Sequence, residues 1–227
     1  MLTRLQALGQ MFRTDPVGAI IYLFIFTVAI LTSLILHECA HGYVALKCGD
    51  PTAKYMGRLT LDPRKHLDPV GTVFMVLLGF GWAKPVPVNP RNYRNPRRDD
   101  ILVSLAGIVT NLILFLLSML IYVILIRKVS YRNGGFVYWI LEFFSMMATI
   151  NVSLAVFNLL PIPPLDGYHV FNDIILQGRL QLDYQTFRIA QIVLMALCFS
   201  GALSGVLSTV NSWMLNTAFR FFLNIIR

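Results

Sequence analysis

PVGAIIYLFIFTVAILTSLILHECAH, residues 16–41, decides how this chain is built. From Val17 to Leu36 it carries no charge over 20 residues. A helix needs about 20 apolar residues to cross the hydrocarbon core of a bilayer, so the run predicts a membrane span. Asp15-Pro16 reads as an N-cap followed by proline at the first helical position. The run exceeds a signal-peptide core and no small-residue cleavage site precedes His37, so a retained anchor is expected. The polar HECAH that closes the run is the chemical counterpart of this architecture.

Two more uncharged runs of spanning length follow, Ile101–Ile126 and Ile189–Leu215, and a third stretch, Val137–Leu160, is stopped by PIPP. The whole chain agrees: 56% of its 227 residues are hydrophobic and 13% are charged, against about 25% charged in soluble domains. A net charge of +8 invites a nucleic-acid reading, but the positive-inside bias of membrane proteins explains it more simply. Ten Lys/Arg fall within residues 47–98, which predicts that this stretch faces the cytoplasm and that the N-terminus lies outside. Leu160–Asp173 then returns to the cytoplasmic side. The expected location is the plasma (inner) membrane of a bacterium.

The remaining segments are shorter. Residues 1–15 form an interfacial arm, with Leu2, Leu5, Leu8, Met11 and Phe12 at helical spacing. Alternation of Tyr55, Leu59 and Leu61 with Arg58 and Thr60 predicts a small β-hairpin or extended loop. Gly71–Trp82 is apolar but too short to span, hence re-entrant or interfacial. AKPVPVNP, residues 83–90, is extended because each proline biases its predecessor away from helix, and it is placed to wall a cleft. Residues 127–136 form a polar turn. The fold expected is an all-α polytopic membrane protein with about four full spans, a re-entrant segment and the hairpin. It is one domain over 1–227: arm 1–15, catalytic core 16–175, and a C-terminal span and interfacial helix over 176–227. Gly201 and Gly205 suggest a close-packing face. Three cysteines give no disulfide framework; Cys39 and Cys48 read as apolar thiols rather than ligands.

His37-Glu38-Cys39-Ala40-His41 is an HExxH sequence. On a helix, His37 and His41 stand one above the other and reach one Zn²⁺, with Glu38 beside them as general base. Ionisable groups at the end of a span carry an insertion penalty and mark function; the alternative is a polar cluster satisfied by neighbouring helices. Zinc requires a third protein ligand and leaves a position for water. Lys47 stands where a third histidine would continue one known pattern. The only other glutamate, Glu142, is expected near the outer end of its span. His66, read as a surface residue, and His169 remain. The acidic candidate on the correct side is Asp166, in NLLPIPPLDG, residues 158–167, where prolines break the span and free backbone carbonyls. Its alternative role is an Asp-Gly turn. His169 is a candidate for orienting a ligand from behind, as is Asn111, whose competing role is interhelical glue.

HECAH at the end of the first span with NLLPIPPLDG after a later one resembles the site-2 protease family of intramembrane zinc metalloproteases. GRLTLDPRKHLDPVGT and GWAKPVPVNPRNYRNPRRDD resemble its compact bacterial branch without appended domains. The resemblance implies one Zn²⁺ held by His37, His41 and Asp166, with Glu38 as base and Asn158 positioning substrate or the oxyanion. Where the family often has Ala-Gly-Pro, this chain has Ala106-Gly107-Ile108, with Asn111 retained. The function expected is zinc-dependent endoproteolysis of transmembrane segments, part of regulated intramembrane proteolysis. The partners are the bilayer and a transmembrane helix of the substrate, with no nucleic acid. A peptidase cutting soluble tails, a cation transporter and a silent scaffold are the competing readings.

Overall fold

The computed structural model describes residues 2–78, 81–128, 135–180 and 182–226. The helices are α1 (Leu2–Thr14), α2 (Pro16–Cys48), α3 (Thr52–Tyr55), α4 (Pro63–His66), α5 (Pro69–Leu78), α6 (Pro96–Lys128), α7 (Phe136–Asn158), α8 (Asp166–Ile174), α9 (Tyr184–Ser200) and α10 (Ser204–Ile225). Three of them, α2, α6 and α7, are long and apolar enough to cross a membrane.

Helix α2 begins as its sequence dictates: Asp15 Oδ1 accepts the Gly18 N–H at 2.9 Å, and Pro16 opens the first turn. At 33 residues it is about 50 Å long, more than the hydrocarbon thickness. It therefore projects beyond its apolar run, and the HECAH turn lies at that emerging end. Gly49, at φ 112°, stops it and turns its N–H back to Ala45 and Leu46. Helix α6 is central and packs on α2, α7, α8 and α10. Between α2 and α7, Ser33 and Asn151 are fully buried and joined at 2.8 Å, a polar contact within an apolar seam of Ile25, Phe26, Ile30, Met75 and Met147.

Several expectations differ from what is observed. The hairpin over 55–62 does not form: the described residues hold no sheet, only one antiparallel bridge, Leu67 to Ala83. The alternation in this stretch does not track burial, for Tyr55 and Leu61 are exposed while Arg58 is buried and donates to Lys84 O at 2.8 Å. Among the described residues no neighbouring strand is in reach; the loop is instead held by Thr60 O, which accepts from His66 Nε2 at 2.8 Å and from the Cys39 thiol at 3.2 Å. His66 is accordingly buried rather than a surface residue. The last expected span is broken into α9 and α10, which meet at 75°. Gly201, at φ 75°, caps α9 there, and a Cβ on Gly205 would meet no described residue within 4 Å where a close-packing face was expected. Helix α1 doubles back along α2 and α5, so that Arg4 reaches Phe26 and the arm does not lie flat in the interface as expected. The expected turn over 127–136 falls mostly outside the described residues.

Candidate metal centre

His37 and His41 lie on one face of α2, and Asp166 opens α8. Helix α8 can start there because Gly167 has no side chain: a Cβ would stand 2.3 Å from Leu159 O and 2.7 Å from Leu160 O. The end of α7 therefore abuts the start of α8, and the Asp166 carboxylate reaches back across the bundle. His37 Nε2 and His41 Nε2 are 3.0 Å apart; Asp166 Oδ2 is 3.3 Å from the first and 3.4 Å from the second. Among the described residues, this is the one trio of such donors gathered closely enough for a metal ion. Glu142, Cys39 and Cys48 are not part of it.

The triangle matches zinc. Ligands about 2.0–2.1 Å from a tetrahedral ion are separated by about 3.3 Å. Two further observations support the fit. Asp166 Oδ2 is buried without a hydrogen-bond donor, which a cation between the three atoms satisfies. Facing the trio, Gly107 of α6 leaves a hollow: a Cβ there would lie 2.5 Å from His41 Nε2 and 2.6 Å from His37 Nε2.

The imidazoles are anchored from behind. His41 Nδ1 donates to Val103 O at 2.7 Å, which leaves the Nε2 lone pair for a metal. The fully buried Asn111 amide meets His37 Nδ1 at 3.1 Å. With Nε2 reserved for the ion, Nδ1 carries the proton and the amide presents its oxygen; in the opposite orientation that oxygen has no partner. Glu38 Oε2 accepts the Val86 N–H at 2.7 Å, so the proline-rich strap of residues 83–90 meets the Glu38 carboxylate of HExxH directly. The strap is fixed on both sides: Lys84 N–H donates to His66 O at 2.8 Å, and Asn89 N–H to Asp50 Oδ2 at 2.6 Å.

Asn158 is the last residue of α7, and its amide donates to Leu154 O at 3.0 Å within its own helix. His169 Nδ1 lies 3.2 Å from Asp100 Oδ2, tying α8 to the start of α6. That hydrogen bond raises the His169 pKa. Sequence reasoning did not single out Gly107, Val103 or the Val86 amide. Gly107 carried a signal, as a glycine within an apolar span beside the retained Asn111, while the other two act through backbone atoms that any residue supplies.

A zinc-binding HExxH pair completed by an aspartate from another helix, in a bundle of apolar spans, defines an integral membrane zinc metalloprotease. The model of Peptidase family M50 matches residues 25–138 and 127–201. The chain belongs to this peptidase family, that of the site-2 proteases. Similar proteins include YwhC of Bacillus subtilis (strain 168), 45% identical over 72% of this chain and 73% of its own length. Rip2 of Mycobacterium tuberculosis (strain ATCC 25618 / H37Rv) is 34% identical over 68% of this chain, which spans 60% of that protein. MJ0611 of Methanocaldococcus jannaschii is 30% identical over 69% of this chain and 74% of its own length. Each bears the name "Putative zinc metalloprotease". No solved structure matches the chain.

Proposed function

We propose that the chain is an endopeptidase that cuts transmembrane segments of membrane proteins, from a site within the bilayer near its cytoplasmic face. The depth of the centre carries this reading. Gly107 and Asn111, which line and support it, lie well inside the uncharged run Ile101–Ile126, about 9 and 15 Å along the helix from its start. The basic residues 47–98 next to the centre support the cytoplasmic side and a bacterial plasma membrane.

His37, His41 and Asp166 hold one Zn²⁺, which when bound acidifies water towards neutral pH and polarises a peptide carbonyl. Val86 N–H fixes one oxygen of Glu38 and leaves the other to accept a proton and return it to the leaving nitrogen. Val103 and Asn111 hold the two imidazoles in the ligating tautomer. Asn158 exchanges its bond to Leu154 O for the substrate and steadies the developing negative charge. The substrate helix must unwind first, because its carbonyls are otherwise engaged within the helix. Cleavage of a helical membrane substrate by reconstituted wild type and Glu38→Gln tests the assignment. Wild type is expected to cut and the variant to lose nearly all activity; equal rates refute it.

A further inference from the structure

Beyond the metal centre, a cavity of about 370 Å³ lies between α2, α7 and the broken pair α9–α10. Its wall is largely apolar, from Phe26 and Met75 to Leu34 and Phe157, with Thr149, Ser153 and Ser204 among the polar residues. Leu34 is one turn before Glu38, and Phe157 directly precedes Asn158, so the cavity reaches the level of the catalytic groups. At its far end stands Arg4 of α1. It is the one charged residue among the described lining residues.

The guanidinium of Arg4 stacks on Phe26 at 4.0 Å and makes one long contact, 3.4 Å, to Val76 O. Its Nε is buried without an acceptor. No carboxylate lies within ion-pair distance of it among the described residues. Asn211, also in the lining, donates its amide to Ser153 at 2.9 Å and keeps a buried Oδ1 without a partner. A cation without a counter-charge therefore borders a largely apolar recess.

Depth identifies the occupant. Phe26 is at the middle of the run Val17–Leu36, so Arg4 lies about 15 Å from either edge of the hydrocarbon core. Lipid phosphates stay at the edges. An anion reaches this level only when a membrane-spanning segment carries it. An intramembrane arginine persists when it serves a function, and a carboxylate in low dielectric is its natural counterpart.

We infer that this cavity receives part of the substrate's transmembrane segment, and that Arg4 selects a segment bearing an acidic side chain. The inference rests on the proteolytic reading and adds a substrate class to it. Along α2 the separation of Phe26 from Glu38 is about 18 Å. The acidic residue therefore falls about 12 residues from the cut bond in a helical segment, and about 5 to 6 in an extended one.

The test uses full-length protein in vesicles of net-neutral, zwitterionic phosphatidylcholine. A model transmembrane substrate carries one Asp, Asn or Lys, moved stepwise away from the cleavage site. At one register, wild type should cut the Asp form at least about tenfold faster than the Asn form, the factor expected for one charge-assisted hydrogen bond. Arg4→Gln should bring that ratio to about one, Arg4→Lys should keep a preference, and Arg4→Glu should favour the Lys form. Binding of the same peptides to Glu38→Gln protein should show the same order, which separates this inference from proteolysis. Equal binding and cleavage of Asp and Asn forms at every register overturn it. So does an Arg4→Gln variant that slows all substrates alike, the mark of a purely structural clamp.

Discussion

Gly107→Ala isolates the metal centre with one methyl group. A Cβ at position 107 would lie 2.4 Å from His37 Cε1, 2.5 Å from His41 Nε2 and 2.6 Å from His37 Nε2. Non-bonded carbon contacts settle at about 3.5–4.0 Å, so each approach is short by about 1 Å. Neither ring can retreat freely, since His41 is held to Val103 O at 2.7 Å and His37 to Asn111 at 3.1 Å. A retreat of about 1 Å breaks both bonds, because hydrogen bonds of this kind fail beyond about 3.2 Å. Loss of one such support weakens metal binding about 10–100-fold, and zinc sites tolerate errors of only about 0.2 Å. Zinc affinity should therefore fall at least about 100-fold and activity should vanish. The assay is metal content per chain after purification in detergent, followed by zinc competition with a chelator and thermal unfolding. The opposite sign is available if the reasoning fails: alanine is a better helix former than glycine by about 1 kcal/mol. One zinc per chain, retained affinity and a raised Tm would refute the assignment of this hollow to the metal.

Three other outcomes follow from the same contacts. Asn111→Leu should weaken zinc binding about 10–100-fold, whereas Asn111→Asp keeps an acceptor for His37 Nδ1 and should retain the metal; equal affinities in chelator titration contradict the orientation given to this amide. Asp50 is fully buried and accepts from Thr52, Asn89 and Asn92, bonds that outweigh the effect of burial and lower its pKa. Asp50→Ala strands those donors and should cost roughly 2–4 kcal/mol in unfolding measurements while loosening the strap that contacts Glu38; unchanged proteolysis of residues 83–90 argues against this. Burial, aided by Asp100, raises the Asp173 carboxyl to about 6, so the folded state holds a proton that the unfolded chain releases near pH 4. Stability contributed by Asp173 is present at low pH and falls as pH rises through about 4 to 6; wild type should match Asp173→Asn in Tm near pH 4 and drop below it as pH passes 6, and a constant difference excludes it.

The spans were legible because the bilayer imposes a length and polarity test that sequence alone can meet or fail. The same holds for His37, Glu38 and His41, whose relative geometry is set by one helix repeat. Asp166 needed the third dimension: its distance in sequence from His41 says nothing about reach, and only the abutment of α7 on α8 at Gly167 brings its oxygen to 3.3 Å from His37. Alternation around Arg58 pointed to a strand, yet a strand exists only when a partner offers its backbone, and here the neighbours offer Thr60 O to side chains instead.

What the sequence by itself determined is whatever depends on residues close along the chain: α2 and its cap, the histidine pair, the extended proline strap, and a membrane-bound protein with a zinc site. What only the tertiary structure decided depends on which backbones meet. Gly107 opposite two imidazoles, the Val86 N–H on Glu38, the break between α9 and α10, and Arg4 at the end of an apolar cavity all arise from packing between distant segments. The physical reason is common to them: a missing Cβ, a main-chain N–H or an unpaired cation acquires a function from the neighbour that folding brings to it.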